Sequence, residues 1–367
     1  MIGYAKTTSG KTVAISRQRS SYGKDTVDQL FFQQMTFGRV KSFKDFTAAA
    51  SLTPQTFNSF YANKTESAFF TSGLLPLRPK GVNPDLPTDG TGKYEWKGYL
   101  ASSKHPQVIN PSSGYIVNWN NKPAKDFPAS DERFGSESSL QRQKLLTGEL
   151  DRRPQQTLSS VLAAANAAAT EDVRIVEFWP TLKAMLNKGK APSARAKKLV
   201  TILQAWHDAG GSRRDANQDG KIDDPGVPIL DAAWRGISSA GLCDRLGNAL
   251  CTQLAGRIGR FDQPPGGQYA GWHQYMWKDL RAMLGQKVKG KYHLRYCGDG
   301  SVKQCSKELW AALDAAGKKL AGQQGSDPAA WRKPEAPEAI HFTPLPLTTM
   351  DYTNKPTGIH QVVTYGG

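Results

Sequence analysis

The sequence predicts an α+β protein: a strand-rich core, a long helical excursion and a return to strand chemistry at the end. Three observations predict it. Short β-prone runs such as Thr12-Val13-Ala14-Ile15-Ser16 and Ser67-Ala68-Phe69-Phe70-Thr71 dominate the first third. From about Ser138 the apolar residues recur at helical spacing, and Ile359-His360-Gln361-Val362-Val363-Thr364-Tyr365 reads again as strand. The expected organisation is a strand-rich part over 1–137, a mostly helical region over 138–325 and a return to the core sheet over 326–367. No internal repeat is evident.

Within the first part, residues 1–135 read as strands and loops, and the Gly/Pro-dense stretch from Pro79 to Gly98 reads as turns and irregular backbone. In the helical region, Leu158, Val161, Leu162 and Ala165 form one periodic stripe, and Val173, Val176 and Leu182 continue it. Leu199, Ile202, Leu203 and Trp206 do the same. A Gly- and Asp-rich loop at 210–226 separates these from helices expected around Ile229–Ser239 and Lys307–Lys319.

Composition narrows the class. The chain has 367 residues, long enough for two modest domains or one core with an inserted subdomain, and 38% of them are hydrophobic and 22% charged. No apolar run approaches the roughly 20 residues needed to cross a bilayer, and the first residues, Met1-Ile2-Gly3-Tyr4-Ala5-Lys6, have no signal-peptide core. The net charge of +16 invites a nucleic-acid reading, but the cations are scattered. The densest runs, around Arg195-Ala196-Lys197-Lys198 and Lys287–Lys291, are short and no nucleic-acid motif accompanies them. A solvated basic surface is the better reading, compatible with life near anionic polymers.

Four cysteines fall into two pairs of identical spacing, Cys243 with Cys251 and Cys297 with Cys305. No CxxC occurs and no His stands at ligand spacing, which argues against zinc. Two local disulfides in an exported protein fit best, with four reduced thiols in a cytosolic protein as the alternative.

Residues 110–123, Asn-Pro-Ser-Ser-Gly-Tyr-Ile-Val-Asn-Trp-Asn-Asn-Lys-Pro, end an apolar stretch in three Asn. Asn is depleted in strands and a buried amide needs partners, so amides at a strand end suggest groups placed for use. This string is similar to the β-subunit signature of the penicillin acylase family. Further matches run in family order: Asn58-Ser59-Phe60-Tyr61-Ala62 with Thr71-Ser72-Gly73, then Asn83-Pro84-Asp85-Leu86-Pro87 and Gly90–Gly98. Phe178-Trp179-Pro180-Thr181-Leu182 and Asn354-Lys355-Pro356-Thr357-Gly358 continue the order.

The resemblance implies part of an αββα sandwich of N-terminal-nucleophile hydrolases with a mostly helical insertion. It also implies hydrolysis of a linear amide, such as the acyl side chain of a β-lactam, a lipopeptide or an acyl-homoserine lactone. In the family a serine at the mature β-chain terminus attacks, its own α-amino group is the base, and neutral N–H donors hold the oxyanion. Asn120 falls at the side-chain donor, Arg142 at an Arg that braces it and faces substrate, and Phe57 where the acyl pocket is lined. The residues around Arg142 depart from the family's usual pattern. A structural calcium would use Asp131 and the Pro84 carbonyl, with its other ligands upstream. The nucleophile is likewise expected upstream, so the chain is expected to need an upstream β-subunit segment and an α subunit. A signal sequence is also expected upstream, hence a secreted or extracytoplasmic location. Neither an organic cofactor nor a nucleic-acid partner is expected. The competing reading is a non-catalytic extracellular calcium-dependent binding protein derived from this fold.

A second motif is independent of the resemblance. Asp215-Ala216-Asn217-Gln218-Asp219-Gly220-Lys221-Ile222-Asp223 reproduces the first nine positions of an EF-hand-type loop. Asp215, Asn217, Asp219 and Asp223 occupy ligand positions 1, 3, 5 and 9, and Lys221 occupies the seventh, where the backbone carbonyl is the ligand. Position 12 is Gly226 rather than Glu, and Asp231 is the expected substitute.

Overall fold

The computed structural model describes residues 1–82, 87–119, 121–125, 127, 142–258, 272–288, 294–335, 338–341, 349–352 and 363–365. It divides into two compact units, Met1–Asp131 with Tyr365–Gly367, and Glu132–Thr364.

The first unit begins with an antiparallel ribbon, β1 (Gly3–Lys6) against β2 (Thr12–Ile15), in the register Gly3↔Ile15. Two helices follow, α1 (Gln29–Thr36) and α2 (Phe43–Ala50), where strands and loops were expected. The signal for α2 lies in Ser42-x-x-Asp45: the Ser42 hydroxyl accepts from the Asp45 N–H at 3.2 Å and donates to the Asp45 carboxylate at 2.9 Å. Phe43, Phe46 and Ala50 then fall on one helical face. A three-stranded antiparallel sheet completes the unit: β3 (Asn58–Ala62), β4 (Ser67–Thr71) and β5 (Gln107–Ile109), in that spatial order.

The β3–β4 turn is set by Asn63, whose side-chain oxygen accepts from the Thr65 and Glu66 N–H groups at 2.8 and 2.7 Å. Phe46, Ala50 and Phe70 form the core here, flanked by Phe31, Val40, Phe43 and Tyr61. Phe46 stacks on Tyr61 with centroids 5.4 Å apart. The backbone of Tyr115–Asn118 is irregular rather than a strand, which corrects the strand-end reading of that segment.

The second unit is helical. Its elements are α3 (Gln143–Asp151), α4 (Leu158–Thr170), a π-turn at Arg174–Phe178 running into α5 (Trp179–Leu186), α6 (Ala194–Asp208), α7 (Gly226–Ile258), α8 (Trp272–Met283) and α9 (Val302–Gln324). Two short antiparallel pairs complete the described part: β6 (Lys221–Ile222) with β7 (Lys333–Pro334), and β8 (Glu338–His341) with β9 (Thr349–Tyr352). Among the described residues no helix is long and apolar enough to cross a membrane.

The buried face of α4 differs from the stripe the sequence predicts. Ser160, Ala164 and Ala168 point inward while Leu158 and Val161 are exposed. The reason is the N-terminal capping box: Ser160 and Thr157 exchange side-chain–backbone hydrogen bonds of 2.8 and 3.1 Å, which turns Ser160 into the unit.

Both expected disulfides are present, Cys243–Cys251 and Cys297–Cys305. Eight residues along a straight α-helix span about 12 Å, yet the Cα atoms of Cys243 and Cys251 lie 5.4 Å apart. The first bridge therefore requires α7 to double back, and it does so at Gly247, whose φ of 74° and ψ of 156° suit glycine alone. The second bridge pins the start of α9. There Gly298 passes so near Cys305 that an added Cβ would lie 2.3 Å from the Cys305 nitrogen, so no larger residue fits.

Candidate functional site

Three clusters carry chemistry, and each belongs to one unit. The first is a set of amides on the β3–β4–β5 sheet. Asn58, at the start of β3, accepts from the Thr71 hydroxyl at 2.8 Å and donates to the Asn118 side-chain oxygen at 3.3 Å and the Asn121 carbonyl at 3.4 Å. Asn121 in turn accepts from the Trp119 N–H at 2.8 Å, and Trp119 is buried. The sheet thus holds both flanks of the Asn-Trp-Asn-Asn segment through neutral amides. Asn120 itself lies outside the described residues, as do Asp131 and Pro84.

Phe57 precedes Asn58 and leaves 52% of its surface exposed, so it is not part of the core. Its backbone is pinned by Ser72, which accepts from the Phe57 N–H at 3.2 Å and donates its own N–H to the Phe57 carbonyl at 2.9 Å. Behind β4, His105 is buried with its ring nitrogens 2.9 and 3.1 Å from the Thr71 and Leu100 carbonyls. Its ring stacks on Phe70.

Arg142 sits in the second unit at the N-terminal end of α3 and is 2% exposed. It is therefore a buried cation, not a solvated helix residue. Its carbonyl accepts from the Leu145 N–H at 2.9 Å, which starts the helix.

The second cluster is a buried ion network that sequence reasoning missed. Arg174 donates to Asp172 at 2.6 and 2.9 Å and to Asp231 at 2.7 Å. Arg213 donates to Asp172 at 3.0 Å and to Asp231 at 2.9 Å, and Lys333 reaches Asp231 at 2.5 Å. The Arg174 guanidinium also lies 5.1 Å over the Trp234 ring. Burial alone would raise the Asp172 and Asp231 carboxyls, but the adjacent Arg174 and Arg213 charges hold both well below the usual carboxylate range. Asp231 is thereby committed to two arginines and a lysine. This corrects the expectation that it completes the 215–223 loop.

Next to this network, burial and the neighbouring Glu149 carboxyl push Glu171 up to about 8. The only sequence signal for the network was Asp172-x-Arg174, which local patterning cannot distinguish from a surface pair.

The third cluster is the loop from Asp215 to Asp223, which the structure draws into one tight turn. The Asp215 carboxylate accepts from the Asp219 N–H at 3.1 Å and the Gly220 N–H at 2.6 Å. Asn217 accepts from the Asp219 N–H at 2.9 Å, and Asp219 accepts from the Lys221 N–H at 2.9 Å. Asp223 accepts from the Ala216 N–H at 3.0 Å. Glu335, which the sequence did not flag, accepts from the Asp215 N–H at 3.0 Å and donates its own N–H to the Gly220 carbonyl at 3.0 Å. Among the described residues no three His, Cys, Asp or Glu side chains stand ready-assembled around a metal position.

Comparison with known proteins decides the family. The penicillin amidase pattern matches residues 7–360. The chain belongs to the penicillin amidase family. Penicillin G acylase of Escherichia coli is 32% identical over 220 residues, which cover 59% of this chain and 25% of that protein. A thermostable penicillin G acylase from Alcaligenes faecalis superposes with a TM-score of 0.71 at 21% identity, covering 96% of this chain and 65% of that one. At that identity the second likeness concerns the fold, which is the N-terminal-nucleophile hydrolase fold the family resemblance implies. The chain spans a quarter of the first relative and just under two thirds of the second.

Within the family frame, the β3–β4 hairpin appears where the Asn58–Ala62 and Thr71–Gly73 matches predict it. Phe178-Trp179-Pro180-Thr181-Leu182 forms the entry to α5, with Phe178, Trp179 and Leu182 fully buried.

Proposed function

We propose that this chain is the downstream part of the β-subunit core of an amidase that hydrolyses a linear amide to a carboxylic acid and an amine. The single observation that carries the reading is a family match that runs from residue 7 to residue 360 and includes the Asn-Trp-Asn-Asn segment. The substrate class proposed is an acyl amide of the β-lactam side-chain, lipopeptide or acyl-homoserine lactone kind. An N-terminal serine from an upstream β-subunit segment attacks the carbonyl, with its α-amino group as base.

In this reading Asn120 donates its side-chain N–H to the developing oxyanion. A neutral amide suits that role because it stays a donor at every working pH. The hydrogen bonds from Asn58 to the Asn118 side chain and the Asn121 carbonyl support it, since they hold residues on either side of Asn120. Phe57, exposed beside this segment, lines the acyl pocket, and Arg142 serves as the brace facing substrate. A structural calcium bound in part by Asp131 and the Pro84 carbonyl belongs to the same reading. The upstream segment and an α subunit cover the apolar surface of the first unit. The protein acts outside the cytoplasm, where its two disulfides persist.

The test is Asn120→Ala in the assembled enzyme. It should lower kcat roughly 10²-fold or more with KM little changed, because the lost donor acts only on the transition state. Turnover near that of the unaltered enzyme would remove Asn120 from the mechanism.

A further inference from the structure

We propose that the loop Asp215–Asp223 is a calcium site completed from outside the loop by Glu335, so that one ion ties β7 to the turn between α6 and α7. The ligands are the side-chain oxygens of Asp215, Asn217, Asp219 and Asp223, the Lys221 carbonyl and the Glu335 carboxylate.

Glu335 answers what the sequence leaves open. A loop of this type takes its bidentate carboxylate from position 12, here Gly226, and Asp231 is spent on Arg174, Arg213 and Lys333. The β6–β7 ladder, in the register Lys221↔Pro334, sets Glu335 opposite Gly220. Its carboxylate already touches the loop at the Asp215 N–H. The missing carboxylate is thus supplied by the neighbouring strand.

A separate observation points to a cation. Asp223 turns its carboxylate back onto the loop, where one oxygen accepts from the Ala216 N–H at 3.0 Å. The other oxygen is fully enclosed and meets no hydrogen-bond donor. An enclosed carboxylate oxygen without a donor is costly, and a bound cation removes that cost. Among the nearby cations, Arg213 and Lys333 are held by Asp231 and, for Arg213, also by Asp172. Arg214, whose carbonyl accepts from the Asp223 N–H, makes no hydrogen bond to that oxygen. Asp223 as a whole is half-buried, while Asp215 is buried at 8% exposure. The Asp215 oxygens and those of Asn217 and Asp219 each accept amide N–H bonds, which orient them while leaving a second lone pair for an ion. All-oxygen ligation with several carboxylates suits calcium over magnesium, which keeps its waters and demands a stricter octahedron.

The experiment strips the full disulfide-bonded chain with a chelator and titrates it with calcium chloride, reading stoichiometry by calorimetry and melting temperature in parallel. The Asp215→Asn/Asp219→Asn variant should bind one ion fewer and lose the calcium-dependent rise in melting temperature. Glu335→Gln should weaken that same site roughly tenfold or more, since affinity follows the count of charged ligands. Asp327→Asn, in a surface pair with Lys198, should change neither. An unchanged stoichiometry in the double variant overturns the site, and unweakened binding in Glu335→Gln overturns its completion from β7. Should a variant fail to fold, hydrogen exchange in the unaltered chain decides. Calcium should slow the amides of 215–223 and of 333–335 together, and slowing in neither or in only one of the two segments refutes the shared site.

Discussion

The two units of the chain bury their apolar residues differently. In the second unit Val173, Ile175, Phe178, Leu182, Met185, Leu199, Leu203, Ile229, Leu280, Leu309 and Leu313 are all fully buried. In the first, the core proper is Phe46, Ala50 and Phe70, and the large apolar residues around it, from Tyr4 and Tyr22 to Phe32, Phe37 and Ile109, are exposed. Its sheets are small as well, a two-stranded ribbon and a three-stranded sheet, which bury little by themselves. The difference teaches that the second unit carries its own stability, while the first presents surfaces suited to being covered. Unpaired strand edges and apolar patches of this kind invite association.

The sharpest way to break the comparison is to attack the second unit where it is strongest. Asp231→Asn leaves Arg174 and Arg213 to Asp172 and takes from Lys333 the carboxylate it reaches. Removing one member of a buried ion network typically costs about 3–5 kcal/mol. Urea unfolding followed by tryptophan fluorescence should show a loss of that order. A loss of less than about 1 kcal/mol would mean that the network is not what holds these four segments together.

The second disulfide comes next. Replacing both Cys297 and Cys305 by Ser opens a loop of eight-residue separation at the start of α9. The chain-entropy estimate for so short a loop is roughly 2–3 kcal/mol. A comparable loss in a Cys297→Ala/Cys305→Ala variant would assign the effect to the bridge and not to the new hydroxyls, and no loss in either variant would show that the bridge is not stabilising.

Much of this contrast was legible in the sequence, for reasons that stop at local range. The β3–β4 hairpin was readable from the family resemblance of Asn58–Ala62 and Thr71–Gly73, and α6 from its regular apolar spacing. The helices expected around Ile229–Ser239 and Lys307–Lys319 are parts of the longer α7 and α9. The disulfide partners were readable from equal spacing. The three Asn drew attention to their segment for a reason that did not hold, since Tyr115–Asn118 is not a strand. Helices α1 and α2 were missed because aromatic runs such as Leu30-Phe31-Phe32 suit a strand equally well, and the Ser42 cap was the only tie-breaker. The inward face of α4 was missed because a capping box outranks leucines in setting the rotation. Asp231 and Glu335 were misjudged or overlooked because their partners lie 57 and 120 residues away, at Arg174 and Asp215, and no period encodes such pairs.

A pH effect also separates the units. Glu171 is buried against Glu149, and burial and that neighbour raise it to about 8 from an ordinary 4.5. A carboxyl whose pKa is raised by folding binds more protons folded than unfolded, so its contribution is complete below pH 4.5 and is lost as pH rises through about 8. The melting temperature of the second unit should therefore decline between pH 5 and 8, and Glu171→Gln, which stays neutral, should flatten that decline. An equal slope in the variant would assign it to other groups.

The smallest expected effect is the most informative about the first unit. Phe32 and Phe37 are 54% and 60% exposed, at the middle of α1 and just beyond its end. If these rings are surface in the isolated chain, Phe32→Ser with Phe37→Ser removes little burial and leaves no enclosed cavity. Its stability should then stay within about ±0.5 kcal/mol of the unaltered chain, as for ordinary surface substitutions. Solubility should rise at the same time, because exposed aromatic surface is what drives such chains together. Co-expression with the proposed upstream segment and α subunit should reverse the sign: the unaltered chain gains solubility from its partners and the double variant gains less, having lost part of the surface they cover. A drop of 2 kcal/mol or more in the isolated variant would show that the rings are already core. The first unit would then be complete by itself, and the contrast between the two halves would fall.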